Sequence, residues 1–136
     1  MELTKQTLDE LMPFGAHLGI DLVEATPERA VATLGWDERI TTSGGALHGG
    51  ALMGLADSVG GLVAFLNLPD GAGTSTISSS TVFLRGVREG SVTATGRPIH
   101  VGRTTIVVET ELRIDDRPVS RTTQTQAVLL PRGGGQ

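Results

Sequence analysis

Residues 48–68 read HGGALMGLADSVGGLVAFLNL, and the part from Ala51 to Leu68 is the most apolar run of the 136-residue chain. Its leucines and valines recur at helical spacing, which predicts a helix over Gly50–Leu68 that ends at Pro69-Asp70-Gly71. The run is nearly long enough to cross a membrane, but Asp57 stands at its centre and no lysine or arginine flanks it. A helix buried within a protein is therefore the favoured interpretation.

The segments on either side of this helix have the composition and alternation of strands. Two strands are predicted before the helix and four after it, over residues 20–25, 29–36, 74–85, 91–99, 104–114 and 119–130. Short turn sequences separate the last four, which predicts an antiparallel meander. An antiparallel sheet packed on one apolar helix is an α+β arrangement, and so apolar a helix requires the sheet to curl around it.

Composition limits the possible functions. Eleven basic against fifteen acidic residues give a net charge of −4, which argues against binding to nucleic acid or an anionic membrane. The absence of cysteine excludes disulfides and thiol chemistry, and histidines 17, 48 and 100 lack metal-ligand spacing, so no metal is expected.

The N-terminus carries no secretory signal pattern, and a cytoplasmic protein is expected. We predict one domain over residues 1–136, with a covering helix within 1–13 and a flexible tail at 131–136.

One stripe of the predicted helix, opposite its leucine face, consists of small residues and a carboxylate: Gly50, Gly54, Asp57, Gly61 and Ala64. Glycine within a helix costs about 1 kcal/mol relative to alanine, so close approach of a partner subunit or an extended ligand is expected to compensate. Beside such a groove, a buried Asp57 could act as a general base or as a nucleophile. The alternative is a carboxylate held by structural hydrogen bonds.

The sequence that leads into the helix, Leu47-His48-Gly49-Gly50, offers backbone N–H groups at the positive end of the helix dipole. Such donors can hold the oxyanion that forms during hydrolysis of an acyl group. The alternative is that the glycines only permit a tight turn, and a lone histidine such as His48 is more often structural than catalytic.

Together, His48-Gly49-Gly50 and an acid at position 57 resemble the signature of hotdog-fold acyl-CoA thioesterases, in particular the phenylacetate-pathway and Arthrobacter-type 4-hydroxybenzoyl-CoA subfamilies. Further segments resemble this family in the same order, namely residues 27–30, 82–85, 89–90 and 99–105, so that the resemblance spans about residues 14–130. It implies a six-stranded antiparallel sheet wrapped around a long central helix. It also implies homodimers with active sites at the subunit interface, further association into tetramers, and no cofactor apart from the coenzyme A of the substrate.

Carried over to this sequence, the resemblance implies that Asp57 is the catalytic carboxylate and that the Gly50 amide polarises the thioester carbonyl. His48 would shape the loop, and Thr76 would help to place the attacking water. A second set would bind the substrate and its coenzyme A: Gly49, Arg85, Gly102, Arg103 and Thr104. Independently of the resemblance, an acidic protein that binds an anionic cofactor needs local positive charge, for which Arg85, Arg88 and Arg103 are the candidates.

Two positions depart from the family pattern. Thr42 stands where relatives often carry asparagine or glutamine, and Gly61 stands where the Arthrobacter-type enzyme has threonine. The threonine puts the substrate geometry in question, and the glycine gives no support for a hydroxybenzoyl substrate.

The predicted function is hydrolysis of acyl-CoA thioesters to free acid and coenzyme A. A hotdog-fold enoyl-thioester hydratase or dehydratase is one alternative, although no segment matches the usual hydratase motif. A non-catalytic acyl-CoA binding module is another, although the segment before Pro13 is too short for a helix-turn-helix. The acyl group, and the choice between dimer and tetramer, stay open at this point.

Overall fold

The structure, a computed structural model, describes residues 3–132. Three α-helices and six strands follow one another along these residues: α1 Lys5–Leu11, α2 Pro13–Leu18, β1 Asp21–Ala25, β2 Ala30–Gly35, α3 Gly49–Leu66, β3 Gly73–Phe83, β4 Ser91–Val101, β5 Thr105–Ile114 and β6 Arg117–Leu129. Two short 3₁₀ turns, Glu38–Ile40 and Ser43–Gly45, lie in the loop before α3. Each strand, and α3, begins and ends within two residues of its predicted range.

All six strands form one antiparallel sheet in the order β1-β2-β4-β5-β6-β3. The prediction of a four-strand meander is wrong for β3, because β3 pairs with β6 rather than with β4. After Phe83 the chain passes β6 and β5 to reach the inner strand β4, and Val87 is buried within this crossing. The Val87 carbonyl accepts a hydrogen bond from the Leu47 N–H at 2.8 Å, which fixes the crossing to the loop before α3. In this strand order, β1 and β3 are the two edges of the sheet.

The long helix α3 packs on one face of the sheet and contacts five of its strands. The leucine face predicted for it is confirmed from Leu52 to Val63, and Ala64, assigned to the opposite stripe, is fully buried as well. Within residues 3–132, α3 alone is long and apolar enough to cross a membrane, and 56% of it is buried inside the protein. Its apolar character is that of a core helix, and the α+β class predicted from the sequence is confirmed.

The glycines within α3 make room for the protein's own side chains rather than for a partner or a ligand, with one exception. A Cβ at Gly60 would overlap the amide group of Gln124 on β6, and a Cβ at Gly54 would lie 2.9 Å from Leu18 on α2. At Gly61 a Cβ would meet nothing within 4 Å. Of the glycines in α3, only Gly61 therefore leaves room for the close approach of a second molecule that the sequence predicted.

Two helices precede the sheet where the sequence predicted one. Thr4 caps α1, because its hydroxyl accepts a hydrogen bond from the Thr7 N–H at 3.1 Å. Pro13, the last residue of the range predicted for the covering helix, instead occupies the first position of α2, where its missing N–H breaks no helical hydrogen bond. The predicted tail begins at Pro131 and Arg132, which have no regular structure; its remaining residues, 133–136, and residues 1–2 of the predicted N-terminal helix lie outside the described residues.

Candidate active site

The turn into α3 is closed by a side-chain cap. The Nδ1 atom of His48 accepts a hydrogen bond from the Gly50 N–H at 2.8 Å. A Cβ on Gly50 would lie 2.9 Å from this nitrogen, so a glycine suits the closure of the cap. The expectation of a free Gly50 N–H is thereby corrected, since His48 occupies it. The neighbouring Gly49 N–H makes no hydrogen bond to any other residue between 3 and 132.

An exposed ion pair organises the loop that leads into this cap. Asp37 accepts hydrogen bonds from the Arg39 side chain at 2.8 and 3.1 Å and from the Arg39 backbone N–H at 2.9 Å. These bonds lower the pKa of Asp37 from 3.8 to about 2. In the 3₁₀ turn that Asp37 begins, the Ile40 carbonyl accepts the His48 N–H at 2.9 Å. The loop thus fixes the backbone of the cap residue, and Thr42 is exposed within the same loop.

Asp57 projects from the middle of α3 and is held through one of its two carboxylate oxygens. Its Oδ1 accepts from the Thr76 hydroxyl on β3 at 3.4 Å and from Gln124 Nε2 on β6 at 3.3 Å. No hydrogen bond or ion pair from residues 3–132 reaches Oδ2. Asp57 is exposed in the single chain, which corrects the expectation of a buried acid. The structure thus places Asp57 and Thr76 together, with one carboxylate oxygen unoccupied.

A second glutamine sets the direction of this hydrogen-bond chain. Gln126 Nε2 donates to the Thr76 hydroxyl at 2.7 Å, so the hydroxyl proton of Thr76 is available for Asp57. The Oε1 atom of Gln126 lies 3.1 Å from the Thr74 hydroxyl. Both glutamines are almost fully buried on the face of β6 that packs against α3. Geometry therefore links Asp57 to a polar network that spans two strands.

Sequence reasoning missed Gln124 and Gln126, although the pattern of β6 contains a signal for them. In the sequence Thr122-Thr123-Gln124-Thr125-Gln126, alternate residues fall on one face of the strand. On a sheet that covers an apolar helix, that face should carry apolar side chains. Polar residues at those positions indicate a built hydrogen-bond network, because buried polar groups are costly unless they are paired.

Asp57 also lines a cavity of about 350 Å³ between α1, α3 and the edge strand β3. Its apolar wall consists of Leu8, Leu11, Met12, Leu62 and Phe65. Gly61 contributes no side chain, which leaves the space beside Asp57 open. Such a cavity can hold an apolar acyl group of moderate size beside the carboxylate.

The residues predicted to bind coenzyme A lie in two separate places. Gly102, Arg103 and Thr104 form the turn between β4 and β5, and the Thr104 carbonyl accepts the Val128 N–H near the first residues of β3. Arg85 lies two residues after the end of β3, with Arg88 exposed beyond it. An eleven-residue strand separates the two places, which corresponds to roughly 30 Å. One chain therefore does not bring Arg85 and Arg103 together.

The start of α3 and Asp57 are likewise separated within one chain. Gly49 and Gly50 precede Asp57 by about two helical turns, which places their N–H groups roughly 10 Å from it along the helix axis. A thioester carbonyl needs a hydrogen-bond donor about 3 Å from its oxygen and the attacking group at a similar distance from its carbon. A separation of this size favours a site in which the donor and the acid belong to different chains.

A six-stranded antiparallel sheet around one long helix, with an acid at mid-helix, defines the hotdog class of thioesterases, and comparison with known proteins agrees. Residues 44–120 match the model of the Thioesterase superfamily. The crystal structure of thioesterase HI1161 from Haemophilus influenzae has a TM-score of 0.89 at 28% identity and covers 100% of this chain and 97% of that one.

Two further proteins give the same result. A mutant of thioesterase PA1618 from Pseudomonas aeruginosa has a TM-score of 0.86 at 32% identity, with 95% and 96% of the two chains covered. The proofreading thioesterase EntH of Cronobacter turicensis is 33% identical over 87 residues, which are 64% of each chain. The chain belongs to the Thioesterase superfamily, and its general reaction is the hydrolysis of a thioester.

Proposed function

We propose that the protein hydrolyses acyl-CoA thioesters to a free acid and coenzyme A, with Asp57 as the reacting carboxylate. The observation that carries this proposal is the asymmetric anchoring of Asp57. Thr76 and Gln124 hold Oδ1, while Oδ2 has no partner in the described part of the chain and the residue lines a largely apolar cavity. A carboxylate held in this way is ready either to take a proton from water or to attack a carbonyl carbon.

The two routes share the same group and the same products. As a general base, Asp57 takes one proton from water while the oxygen of that water attacks the thioester carbon, and the tetrahedral intermediate then expels the coenzyme A thiolate. As a nucleophile, Asp57 forms a mixed anhydride with loss of the thiolate, and water hydrolyses the anhydride. Because a thiolate leaves readily near neutral pH, neither route needs a metal or a serine–histidine pair.

The carbonyl oxygen requires a donor, and the start of α3 supplies the candidate. The Gly50 N–H, expected to serve, is held by His48, whereas the Gly49 N–H makes no hydrogen bond within residues 3–132. We therefore assign the donor to Gly49, with His48 and Gly50 as the cap that orients it. One such amide typically supplies about 3 kcal/mol of transition-state stabilisation.

The donor and the acid must come from different subunits, because the two lie roughly 10 Å apart along one helix. The edge strand β3 supports a homodimer built by sheet extension, since its outer edge is unpaired in the single chain. Four of the exposed apolar residues lie on or just after this strand: Ile77, Val82, Phe83 and Leu84. An exposed apolar edge favours pairing with a second chain. Association of two such dimers into a tetramer is the further state that we propose.

A dimer also resolves the separation of the residues predicted to bind coenzyme A. Pairing of two antiparallel β3 edges brings the end of one strand, with Arg85 and Arg88, toward the beginning of the other, with Arg103 of the second subunit. These cations would supply local positive charge for the phosphates of coenzyme A in a protein whose net charge is −4.

We also propose that the protein acts in the cytoplasm.

The test is turnover of a panel of acyl-CoAs, aliphatic, benzoyl and phenylacetyl, followed by detection of the released thiol. Asp57→Ala is expected to lower kcat about 10²–10⁴-fold, whereas Asp70→Ala, an exposed aspartate in the turn after α3, serves as the matched control. No hydrolysis of any thioester by the wild type, or full activity of Asp57→Ala, would refute the proposal. Hydration of an enoyl-CoA would identify a hydratase, and tight binding without turnover would identify a binding protein.

A further inference from the structure

Gln124 is a polar side chain placed in the core. It is 1% exposed on β6, between the sheet and α3. Its Nε2 donates to Asp57 Oδ1 at 3.3 Å, while its Oε1 is buried and has no hydrogen-bond partner in the described part of the chain. A buried amide with one unsatisfied atom destabilises a fold compared with an apolar side chain of the same shape. Stability alone therefore does not account for a glutamine at this position.

A second feature, on a different element, makes room for the same amide. Gly60 is buried in α3, and a Cβ there would overlap the Gln124 carboxamide. Glycine is a weak helix former, so α3 gives up helix stability at the one position where the amide of Gln124 needs space. Two independent unfavourable features, a glycine in a helix and an unpaired oxygen in the core, thus converge on one hydrogen bond to Asp57.

We infer that Gln124 is the positioning residue for Asp57 in the thioester hydrolysis proposed above, on which this inference rests. Together with Thr76, it holds Oδ1 and so fixes the rotation of the carboxylate, which leaves Oδ2 to face the substrate. Thr76 comes from the edge strand β3 and is exposed, whereas Gln124 comes from an inner strand and is rigidly enclosed. Of the two residues that hold Asp57, Gln124 is therefore the one whose position is fixed by the core. It acts through Asp57 without contact to the substrate.

The experiment compares kcat and KM of Gln124→Met and Gln124→Glu with those of the wild type on the best substrate of the acyl-CoA panel. Gln124→Met keeps the length of the side chain and removes the donor, whereas Gln124→Glu keeps its shape and puts a carboxyl group beside Asp57 that either repels its charge or shares its proton. We expect kcat to fall about 10- to 100-fold, because misplacement of a reacting group by about 1 Å has an effect of this size, with KM within about twofold of the wild-type value. Gly60→Ala, which keeps the glutamine but displaces its amide, should lower kcat in the same direction.

The matched control is Thr110→Val, a buried polar-to-apolar change on the same face of the sheet, at a hydroxyl that bonds to neither Asp57 nor any other described residue. It should leave kcat and KM unchanged. Circular dichroism and Tm identify a variant that fails to fold, and Gln124→Glu, the closest in shape, then replaces Gln124→Met in the comparison.

A double-mutant cycle separates positioning from a structural role. In an Asp57→Asn background, Gln124→Met should cause no further loss of the residual kcat, because the group through which Gln124 acts is already gone. A further loss of the same size, or a full wild-type kcat in both folded Gln124 variants, would overturn the inference. If the wild type hydrolyses acyl-CoA and Asp57→Asn keeps only a small residual kcat, such a result rejects the role of Gln124 and leaves that of Asp57 intact. If the wild type is inactive on the whole panel, the proposed function itself fails.

Discussion

Two adjacent glycines in α3 provide a direct test of the packing around Asp57. Gly60→Ala and Gly61→Ala add the same methyl group to the same helix, one residue apart. At Gly61 the new Cβ meets nothing within 4 Å, whereas at Gly60 it overlaps the carboxamide of Gln124. The pair therefore separates the helix-forming tendency of alanine, which both variants gain, from the steric consequence, which only one suffers.

The structure sets the magnitudes of the two effects. Glycine to alanine in a helix interior should raise the free energy of unfolding by about 0.5–1 kcal/mol, and Gly61→Ala should show this full gain. Gly60→Ala gains the same amount but loses about 1–3 kcal/mol to overpacking and about 1 kcal/mol when the Gln124–Asp57 hydrogen bond is displaced. The two variants should therefore differ by about 2–4 kcal/mol, with Gly60→Ala the less stable.

Thermal unfolding at one fixed protein concentration is the appropriate assay, because assembly makes Tm depend on concentration. For a chain of this length, 1 kcal/mol corresponds to roughly 3 °C, so Gly60→Ala should melt about 6–12 °C below Gly61→Ala. If the two variants melt within about 2 °C of each other, Gln124 does not occupy the space above Gly60, and the geometry assigned to Asp57 is wrong.

Three further predictions concern other parts of the molecule. Thr110→Val removes a buried hydroxyl that has no hydrogen-bond partner within residues 3–132 and should stabilise the protein by about 1 kcal/mol, as measured by urea denaturation; a loss of stability would indicate a missed partner. Ile77→Asp, 61% exposed on the β3 edge, should reduce the sedimentation coefficient to that of a monomer, whereas Val23→Asp, 64% exposed on the opposite edge β1, should not; equal effects would reject β3 as the interface. Because Arg39 lowers the pKa of Asp37 to about 2, the folded-state stabilisation by this pair should be present above pH 3.8 and be lost as the pH falls through about 2. NMR titration of Asp37 should show its midpoint rising toward 3.8 in Arg39→Gln, and an unchanged midpoint would contradict the assigned cause.

Local sequence signals predicted most of the elements of this fold. The apolar periodicity of residues 50–68 identified α3, and turn residues marked the ends of the strands to within two positions. Pairing order was harder, because adjacency in sequence favours a hairpin between β3 and β4. Burial of Val87 and its hydrogen bond to Leu47 instead draw the connection across the sheet, and no local pattern encodes such a long-range contact. Pro13 misled for a related reason, since a proline that ends one helix can also begin the next.

Site residues could be predicted where the residue type alone indicates the chemistry. They could not be predicted where the role of a residue depends on its contacts in the folded chain. A lone acid in an apolar helix singled out Asp57, and the structure places the Thr76 hydroxyl 3.4 Å from its Oδ1 atom. The Gly50 N–H was misjudged because helix-start geometry alone does not show that the preceding histidine closes a cap on it. Gln124 and Gln126 were overlooked because a polar residue in a strand is ordinarily assigned to the solvent face. Only the register of β6 against β5 and β3 turns them inward.

The distance between the start of α3 and Asp57 has a consequence for how the enzyme behaves in dilute solution. If each polypeptide supplies half of two different reaction centres, no isolated chain is competent, and specific activity must decline as the protein is diluted below the dissociation constant of the dimer. By the same logic, two inactive preparations, one defective at Asp57 and the other at the helix start, should recover activity when their subunits are exchanged. Catalysis by this small fold would then be a property of the assembly and not of the polypeptide.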